Sequence, residues 1–352
     1  MSVTRTSVSV VRAVAAFVVA AVIASTAVLG DPDSVQARQP LGGARGWLAL
    51  GSRLASPLRP YLDALAGSEA ISYGSDGRLT VLLLGSDTRG GGISRTDTIM
   101  IMSLKGNQIS VASIPRDTSR ILNYLTAAPN DKFKGRINTI ARQVGLANFV
   151  IVIEKLLNIQ IDYYALVSFS GFEALVNVVD PINVNISRRI RDSRYWDDST
   201  SRGIYFPAAN NYPVYSNSGA PACNGSWKKY LNPPPSTWCH RALVFVRSRK
   251  GGSDFQRARR QQDFVGAVIR TVNSGDVGSL VSTANGQAAA GALMTNIPFN
   301  SSALALFNDL NNAYLAHQVV FKPKKYSTHI PGTTAYQLKL SAVRAWTAAY
   351  MK

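Results

Sequence analysis

Three short apolar runs constrain this chain more than any other feature: LTVLLLG at 79–85, DTIMIMSL at 97–104 and QISVASI at 108–114. Each is strand-length and is bounded by glycine, asparagine or charge, as expected of strands buried inside a sheet. The last two are separated by Lys105-Gly106-Asn107 alone, a hairpin-type connection that imposes antiparallel pairing. A helix is predicted over Asn138–Leu157, where Leu146, Phe149, Val150, Ile153, Leu156 and Leu157 share an apolar face. YYALVSF (163–169) reads as a strand leading into a short helix at 170–178. NVNISR (183–188), ALVFVRSR (242–249) and HQVVFK (317–322) read as further strands. A helix from Asp254 to about Val272 turns Phe264, Val265, Val268 and Ile269 inward. Strands interleaved with helices predict an α/β fold, a mixed central β-sheet sandwiched by helices.

Residues 1–12 carry Arg5 and Arg12 and no acid, and they precede an uncharged, mostly apolar stretch from Ala13 to Gly30. That length is at the low end for a bilayer span and above the core of a signal peptide. The basic flank predicts a cytoplasmic N-terminus with the rest exported. Small residues around Val35-Gln36-Ala37 leave a cleaved signal peptide open beside a signal-anchor helix. The expected organisation is a cytoplasmic tail and transmembrane helix at 1–30, a Gly/Ala/Pro-rich stalk at 31–75, and one extracytoplasmic domain at 76–352. No additional C-terminal domain is expected.

With 38 Lys+Arg against 20 Asp+Glu, the chain carries a formal charge of +18 and should favour anionic partners. Charge does not separate nucleic acid from an anionic cell envelope, but an exported body disfavours nucleic acid. Cys223 and Cys239 lie in a Pro/Asn/Ser-rich stretch, and with only His240 nearby they cannot complete a closed zinc site. In an exported protein a disulfide clamping this loop is the better reading, although two free thiols remain open. The surrounding polar segment, 192–240, is predicted to be a long lid-like loop.

The charges fall at particular strand ends. Asp87 and Arg89 follow the first run, Arg95 and Asp97 open the second, and Arg116 and Asp117 follow the third. If the second strand is antiparallel to the other two, all six side chains meet at one rim. Ordinary ion pairs are the plainer reading of any one of them; six together in a chain with only 16% charged residues point to a site. Two carboxylates among guanidiniums suit Mg2+, with Mn2+ as a substitute, because such an ion takes one or two carboxylates and fills its shell with water and phosphate oxygens. Asp87 and Asp97 are the ligand candidates, and the arginines offer planar forks matched to phosphate.

A second basic cluster comprises Arg247, Arg249, Lys250 and two glycines, followed by DFQRARRQQ from Asp254. Glycines opening a helix with basic first turns make an anion site; a solvated basic face is the plainer alternative. Alternation along an extended VRSR places Arg247 and Arg249 on one face, and Arg257 and Gln261 share a helix face. No aromatic platform accompanies these charges to suit nucleic acid. G-x-S-x-G, G-x-x-x-x-G-K-[ST] and H-E-x-x-H are absent, and His240, His317 and His329 are scattered.

Taken in order, TVLLLGSDTR, SRTDTIMIMSL, ISVASIPRD, INTIARQVG and FVRSRKGGSDFQRARRQQ resemble the motif series of the LytR-CpsA-Psr family. The resemblance covers about Thr80 to Gln262. It implies a membrane-anchored extracytoplasmic phosphotransferase of Gram-positive and actinobacterial envelopes. Such an enzyme moves a glycopolymer, as its sugar 1-phosphate, from a polyprenyl pyrophosphate carrier to peptidoglycan. By that resemblance Asp87 and Asp97 serve the metal. Arg89, Arg95, Arg116, Arg247, Arg249 and Arg257 hold the pyrophosphate, supported by Gln261, and Asp87, Asp97, Arg116 and Arg249 carry the reaction. The lipid tail is expected in an apolar pocket lined from 139–157 and 164–178. Trp238-Cys239-His240 replaces the family's usual Leu-Asn/Asp-Gly, which puts the acceptor in question. Pyrophosphate hydrolysis and lipid binding without turnover remain alternatives.

Overall fold

The computed structural model describes residues 74–86, 95–128, 130–193, 195, 203–221, 223, 234–249, 253–273, 293–296 and 313–352. In chain order the elements are β1 (Leu79–Ser86), β2 (Thr96–Lys105), β3 (Gln108–Ser113), α1 (Ile140–Val144), α2 (Leu146–Leu157), β4 (Tyr163–Val167) and α3 (Phe169–Val179). They continue as β5 (Ile182–Ile186), β6 (Ile190–Asp192), β7 (Ile204–Phe206), β8 (Ala209–Val214), α4 (Ala242–Arg247) and α5 (Asp254–Asn273). The described chain closes with β9 (Leu293–Thr295), β10 (Tyr314–Val320), β11 (Ser327–His329), β12 (Tyr336–Leu338) and α6 (Leu340–Tyr350). Six strands form a mixed sheet in the order β10-β3-β2-β1-β4-β9. β2 is antiparallel to both β1 and β3, while β4 is parallel to β1 and β10 is parallel to β3.

The pleat sends alternate side chains of each strand to opposite layers. Leu82 and Leu84 of β1, Ile99 and Ile101 of β2 and Leu166 of β4 pack with Phe149, Val152, Ile153 and Leu156 of α2 and Val343 of α6. Leu79, Val81, Met100 and Val111 point the other way, toward Val265 and Ile269 of α5. On that second face α3, α4, α5 and the small β5–β8 sheets share another apolar cluster with Ala165. The two layers are the predicted sandwich.

Several elements differ from the sequence reading. The single helix expected over 138–157 is a 3-10 turn followed by α1 and α2, interrupted at Gly145, whose φ of +81° a helix cannot propagate. The C-terminal carbonyls of α2 are answered from α6: Thr347 Oγ1 donates to Leu157 O at 2.8 Å and Arg344 to Lys155 O at 2.8 Å. ALVFVRSR is not a strand. Ala242–Arg247 is a helix whose first five residues are all buried, and an apolar run of that length has no periodicity to separate buried helix from buried strand.

The segment 192–240 is not a lid-like loop where it is described. β7 pairs antiparallel with β6, β8 pairs antiparallel with β5, and Ile204, Phe206, Tyr212 and Val214 join the core. These strands are short and their partners distant, so local pattern does not expose them. Cys223 and Cys239 form a disulfide with Cα atoms 4.6 Å apart, both side chains fully buried. Cys239 N donates to Tyr205 O at 2.7 Å, which ties the approach to α4 onto β7. Among the described residues no helix is long and apolar enough to cross a membrane. The 13–30 segment lies outside them.

With 16 residues of separation between its cysteines, the bridge should contribute about 3 kcal/mol by constraining the unfolded chain. A Cys223→Ser/Cys239→Ser variant is expected to unfold at correspondingly lower denaturant. Dithiothreitol should bring the native protein to the same midpoint and leave the variant unmoved; equal midpoints without reductant would show that the bridge contributes nothing.

Candidate active site at the strand rim

The strand directions gather the charges. Ser86, the last residue of β1, stands opposite Thr96, the first of β2. Beside them a Cβ on Gly85 would come within 3.0 Å of Thr98 Cβ and Oγ1, which explains why the first apolar run ends in glycine. β3 leaves the sheet through Ile114, whose N donates to Ile99 O, and Thr118 closes a turn onto Pro115 O. That turn swings Arg116 back across the start of β2.

Asp97 is the meeting point, with 30% of its side chain exposed. Its Oδ2 accepts from Arg116 Nη1 at 2.7 Å and lies 3.9 Å from Arg249 Nη2. Its Oδ1 accepts from Asn138 Nδ2 at 3.3 Å, and Arg257 Nη2 reaches its backbone oxygen at 3.4 Å across 160 residues of sequence. Asp254, the first residue of α5, is a second hub that the sequence reading did not single out. Its Oδ1 is 3.4 Å from both Arg249 Nε and Arg257 Nη1, and its Oδ2 is 3.7 Å from Arg116 Nε. An acid in a first helical turn ordinarily only complements the helix dipole. Its place between Arg249 and Arg257 was the signal available.

Asp117 pairs with Arg136 at 2.6 Å and lies 3.7 Å from Arg116 Nε, so Arg116 is surrounded by three carboxylates. Arg95 is exposed at the same strand start. Arg247 ends a helix, not an extended segment, and lies over the Phe169 ring, 4.1 Å from its centre. Asp87 and Arg89 lie outside the described residues. Of the expected set, Asp97, Arg116, Arg249 and Arg257 therefore converge, with Asp254 as a second carboxylate among the three arginines.

The arginine-rich helix divides its labour. Arg260 donates to Phe245 O and Ser248 O, and Gln261 Nε2 donates to Val246 O at 3.3 Å. Gln262 Nε2 donates to Ser113 Oγ at 2.8 Å and Val319 O at 2.6 Å. These three side chains fix α5 to the end of α4 and to the sheet, and thereby fix the backbone that carries Arg247 and Arg249. Burial draws the Arg257 guanidinium below its ordinary pKa; Asp254 opposes this, while Arg249 and Arg116 add to it. Burial lowers Arg260 more, to about 10, still fully charged at neutral pH.

The polar accounting leaves specific atoms without partners. Arg116 Nε and Arg257 Nε are buried donors with no hydrogen-bond acceptor among the described residues, their carboxylate neighbours being too distant. Asn138 Oδ1 is buried and equally unpartnered. Its Nδ2 faces Asp97 Oδ1, and Asp97 is the one residue of the expected Mg2+ pair that is described; no three acids, histidines or cysteines cluster among the described residues.

Next to the rim the sheet has an incompletely covered apolar face. Leu83 lies in β1 between two neighbouring strands, yet it is only half-buried, as are Val167, Phe169 and Phe172 around it. Leu82 and Leu84, on the opposite face, are at most 2% exposed. Of the regions expected to line an apolar pocket, 139–157 packs with Tyr164 and Leu166 on one face of the sheet, while Phe169, Phe172 and Val176 of α3 lie on the other, with the half-buried Leu83 patch.

The LytR_cpsA_psr family matches residues 62–349 of the chain. The polyisoprenyl-teichoic acid–peptidoglycan teichoic acid transferase TagU of Bacillus mycoides (strain KBAB4) is 29% identical over 218 residues, 61% of this chain and 59% of that protein. TagU of Bacillus cereus (strain AH820) is 34% identical over 196 residues, 54% of this chain and 52% of that protein. The chain thus spans between half and three fifths of the length of these curated relatives. The crystal structure of TagV from B. subtilis superposes with a TM-score of 0.53 at 21% identity, covering 78% of this chain and 97% of that one. With the family matched over residues 62–349, the chain belongs to the LytR-CpsA-Psr family.

Proposed function

We propose that this protein transfers a glycopolymer, as its sugar 1-phosphate, from a polyprenyl pyrophosphate carrier to peptidoglycan. One observation carries the reading: Arg116, Arg249 and Arg257 gather around Asp97 and Asp254 at one sheet rim, beside a half-buried apolar patch. A diphosphate bearing an isoprenoid tail has matching halves. The relatives named TagU are teichoic acid transferases acting on peptidoglycan, in keeping with this chemistry.

In the proposed reaction a peptidoglycan hydroxyl, that of muramic acid C6, attacks the sugar-proximal phosphorus. A new phosphorus–oxygen bond forms, the bond to the bridging oxygen breaks, and polyprenyl phosphate leaves with the electron pair. The hydroxyl proton passes to Asp97 or Asp87. Arg116, Arg249 and Arg257, with Arg89, Arg95 and Arg247 around them, hold the phosphate oxygens and stabilise the charge that develops on them. Asp254 and Gln261 keep these arginines in position. Mg2+ or Mn2+, held by Asp97 and Asp87 with Asn138 alongside, would neutralise phosphate charge when bound. The tail runs along Leu83, Val167, Phe169 and Phe172. Residues 1–30 form the membrane anchor, 31–75 the stalk and 76–352 the extracytoplasmic catalytic domain, whose disulfide suits an oxidising compartment.

In a labelled-donor assay, Arg116→Ala and Arg249→Ala are each expected to lower transfer about 10²-fold or more, as losses of transition-state donors do. Near-native turnover in both would overturn the reading. Chelation with EDTA should abolish transfer and added Mg2+ restore it, whereas Asp97→Asn should not be rescued by the ion. Full activity in EDTA would remove the metal from the scheme. Asp254→Asn should be less heat-stable than the native chain without ligand, because Arg249 and Arg257 lose their shared carboxylate. Inorganic pyrophosphate should then raise its Tm more than that of the native chain, since the anion replaces the missing charge. Equal shifts would show that Asp254 does not guard the anion site.

A further inference from the structure

α5 has a second basic face. One hundred degrees per residue separates side chains around a helix, so Gln256, Arg259, Arg260 and Asp263 lie well round the axis from Arg257 and Gln261. They border a cleft closed on the other side by the turn between β5 and β6, which contributes Arg188 and Arg189, with Phe245 of α4 also lining it. Arg188 and Arg189 are exposed, and among the described residues neither has a carboxylate partner. Arg259 shares Asp263 at 3.1 Å, and Arg260 is committed to the carbonyls of Phe245 and Ser248. Four guanidiniums thus face one acid, in a concave site outside the cluster around Asp97.

The two sites are connected. Arg260 holds the α4 end from the cleft side, and the next residue after Ser248 is Arg249, on the side of Asp97 and Asp254. About one helix diameter, ~10 Å, therefore separates the cleft from the rim. A small diphosphate cannot fill both. An extended glycan reacting at the rim would pass the first turns of α5 and bring its next charged group to the cleft.

We propose that this cleft is a subsite for a second anionic group, a phosphate or carboxylate, carried by the glycan that reacts at the rim. The assignment rests on the transferase reading above. Guanidinium forks match both anions in bidentate geometry. The group comes either from the polymer of the donor or from the stem peptide of the peptidoglycan acceptor, and the two sources are separable by experiment.

Binding of three probes to the full-length chain in neutral detergent tests this: a short oligo(glycerol phosphate), a muramyl-peptide disaccharide and inorganic pyrophosphate. An Arg188→Ala/Arg189→Ala variant, altered only at exposed positions, is expected to bind one of the two glycan probes about tenfold more weakly, the scale of a lost charge-assisted contact. Its affinity for pyrophosphate should be unchanged. Loss confined to the glycerol phosphate oligomer assigns the cleft to the donor, and loss confined to the muramyl peptide assigns it to the acceptor. Arg249→Ala should show the reverse pattern, losing pyrophosphate first. Unchanged affinity for both glycan probes would overturn the proposal. So would a defect seen only with phosphatidylglycerol vesicles, which would make the patch a membrane contact. If the native chain fails to bind pyrophosphate, the transferase reading falls, while the glycan probes still report on the cleft separately.

Discussion

The antiparallel course of β2 between β1 and β3 decides that Asp97 and Arg116, the centre of the site, stand together. Because β2 runs against both neighbours, its first residues lie beside the last residue of β1 and the exit of β3. Asp97 and Arg116 can then meet at 2.7 Å without either leaving its strand end by more than a few residues. Had β2 run parallel, the same sequence would have put Asp97 at the opposite edge of the sheet, and its carboxylate would have had no guanidinium to answer. The ion pair is thus a consequence of topology.

Holding cations together at that rim has an electrostatic cost, visible in the downward pull that burial and its neighbours Arg249 and Arg116 exert on Arg257. Two devices offset it. Asp254 and Asp97 lie between the guanidiniums, and the adjacent residues Arg260, Gln261 and Gln262 secure α5 to α4 and the sheet with hydrogen bonds. Truncating one member of such a network leaves its partner charged and poorly paired, a larger penalty than the pair itself is worth. Among the described residues, Arg116 Nε and Arg257 Nε are left buried without a hydrogen-bond acceptor.

The rim was legible in the sequence because it depended on three strongly apolar runs and a short turn, all local signals. The arginine cluster was legible as composition but not as geometry. ALVFV is apolar at every position, so nothing distinguished helix from strand. Asp254 was overlooked because its partners come from β3, the α4–α5 connection and its own helix, a convergence that exists only after folding. β7 and β8 were hidden for a related reason: three to six residues of strand, one of them containing proline, acquire their identity from partners elsewhere in the chain. The disulfide was readable because compartment and ligand count left few roles for the two cysteines.

The apolar surface beside the rim completes the physical logic. A residue in an interior strand, covered by a helical layer, should be as buried as Leu82 or Leu84, yet Leu83 between them is not. α3 and α5 approach each other through Phe172 and Phe264, whose rings are 5.3 Å apart. Arg247 rests on Phe169 where this surface meets the charged rim, an arrangement in which a guanidinium keeps its charge while its flat face covers an aromatic ring. In the proposed reaction an amphiphilic donor would meet both surfaces, its hydrocarbon chain along Leu83 and its neighbours and its anionic head among the arginines, with the contact between Arg247 and Phe169 between the two.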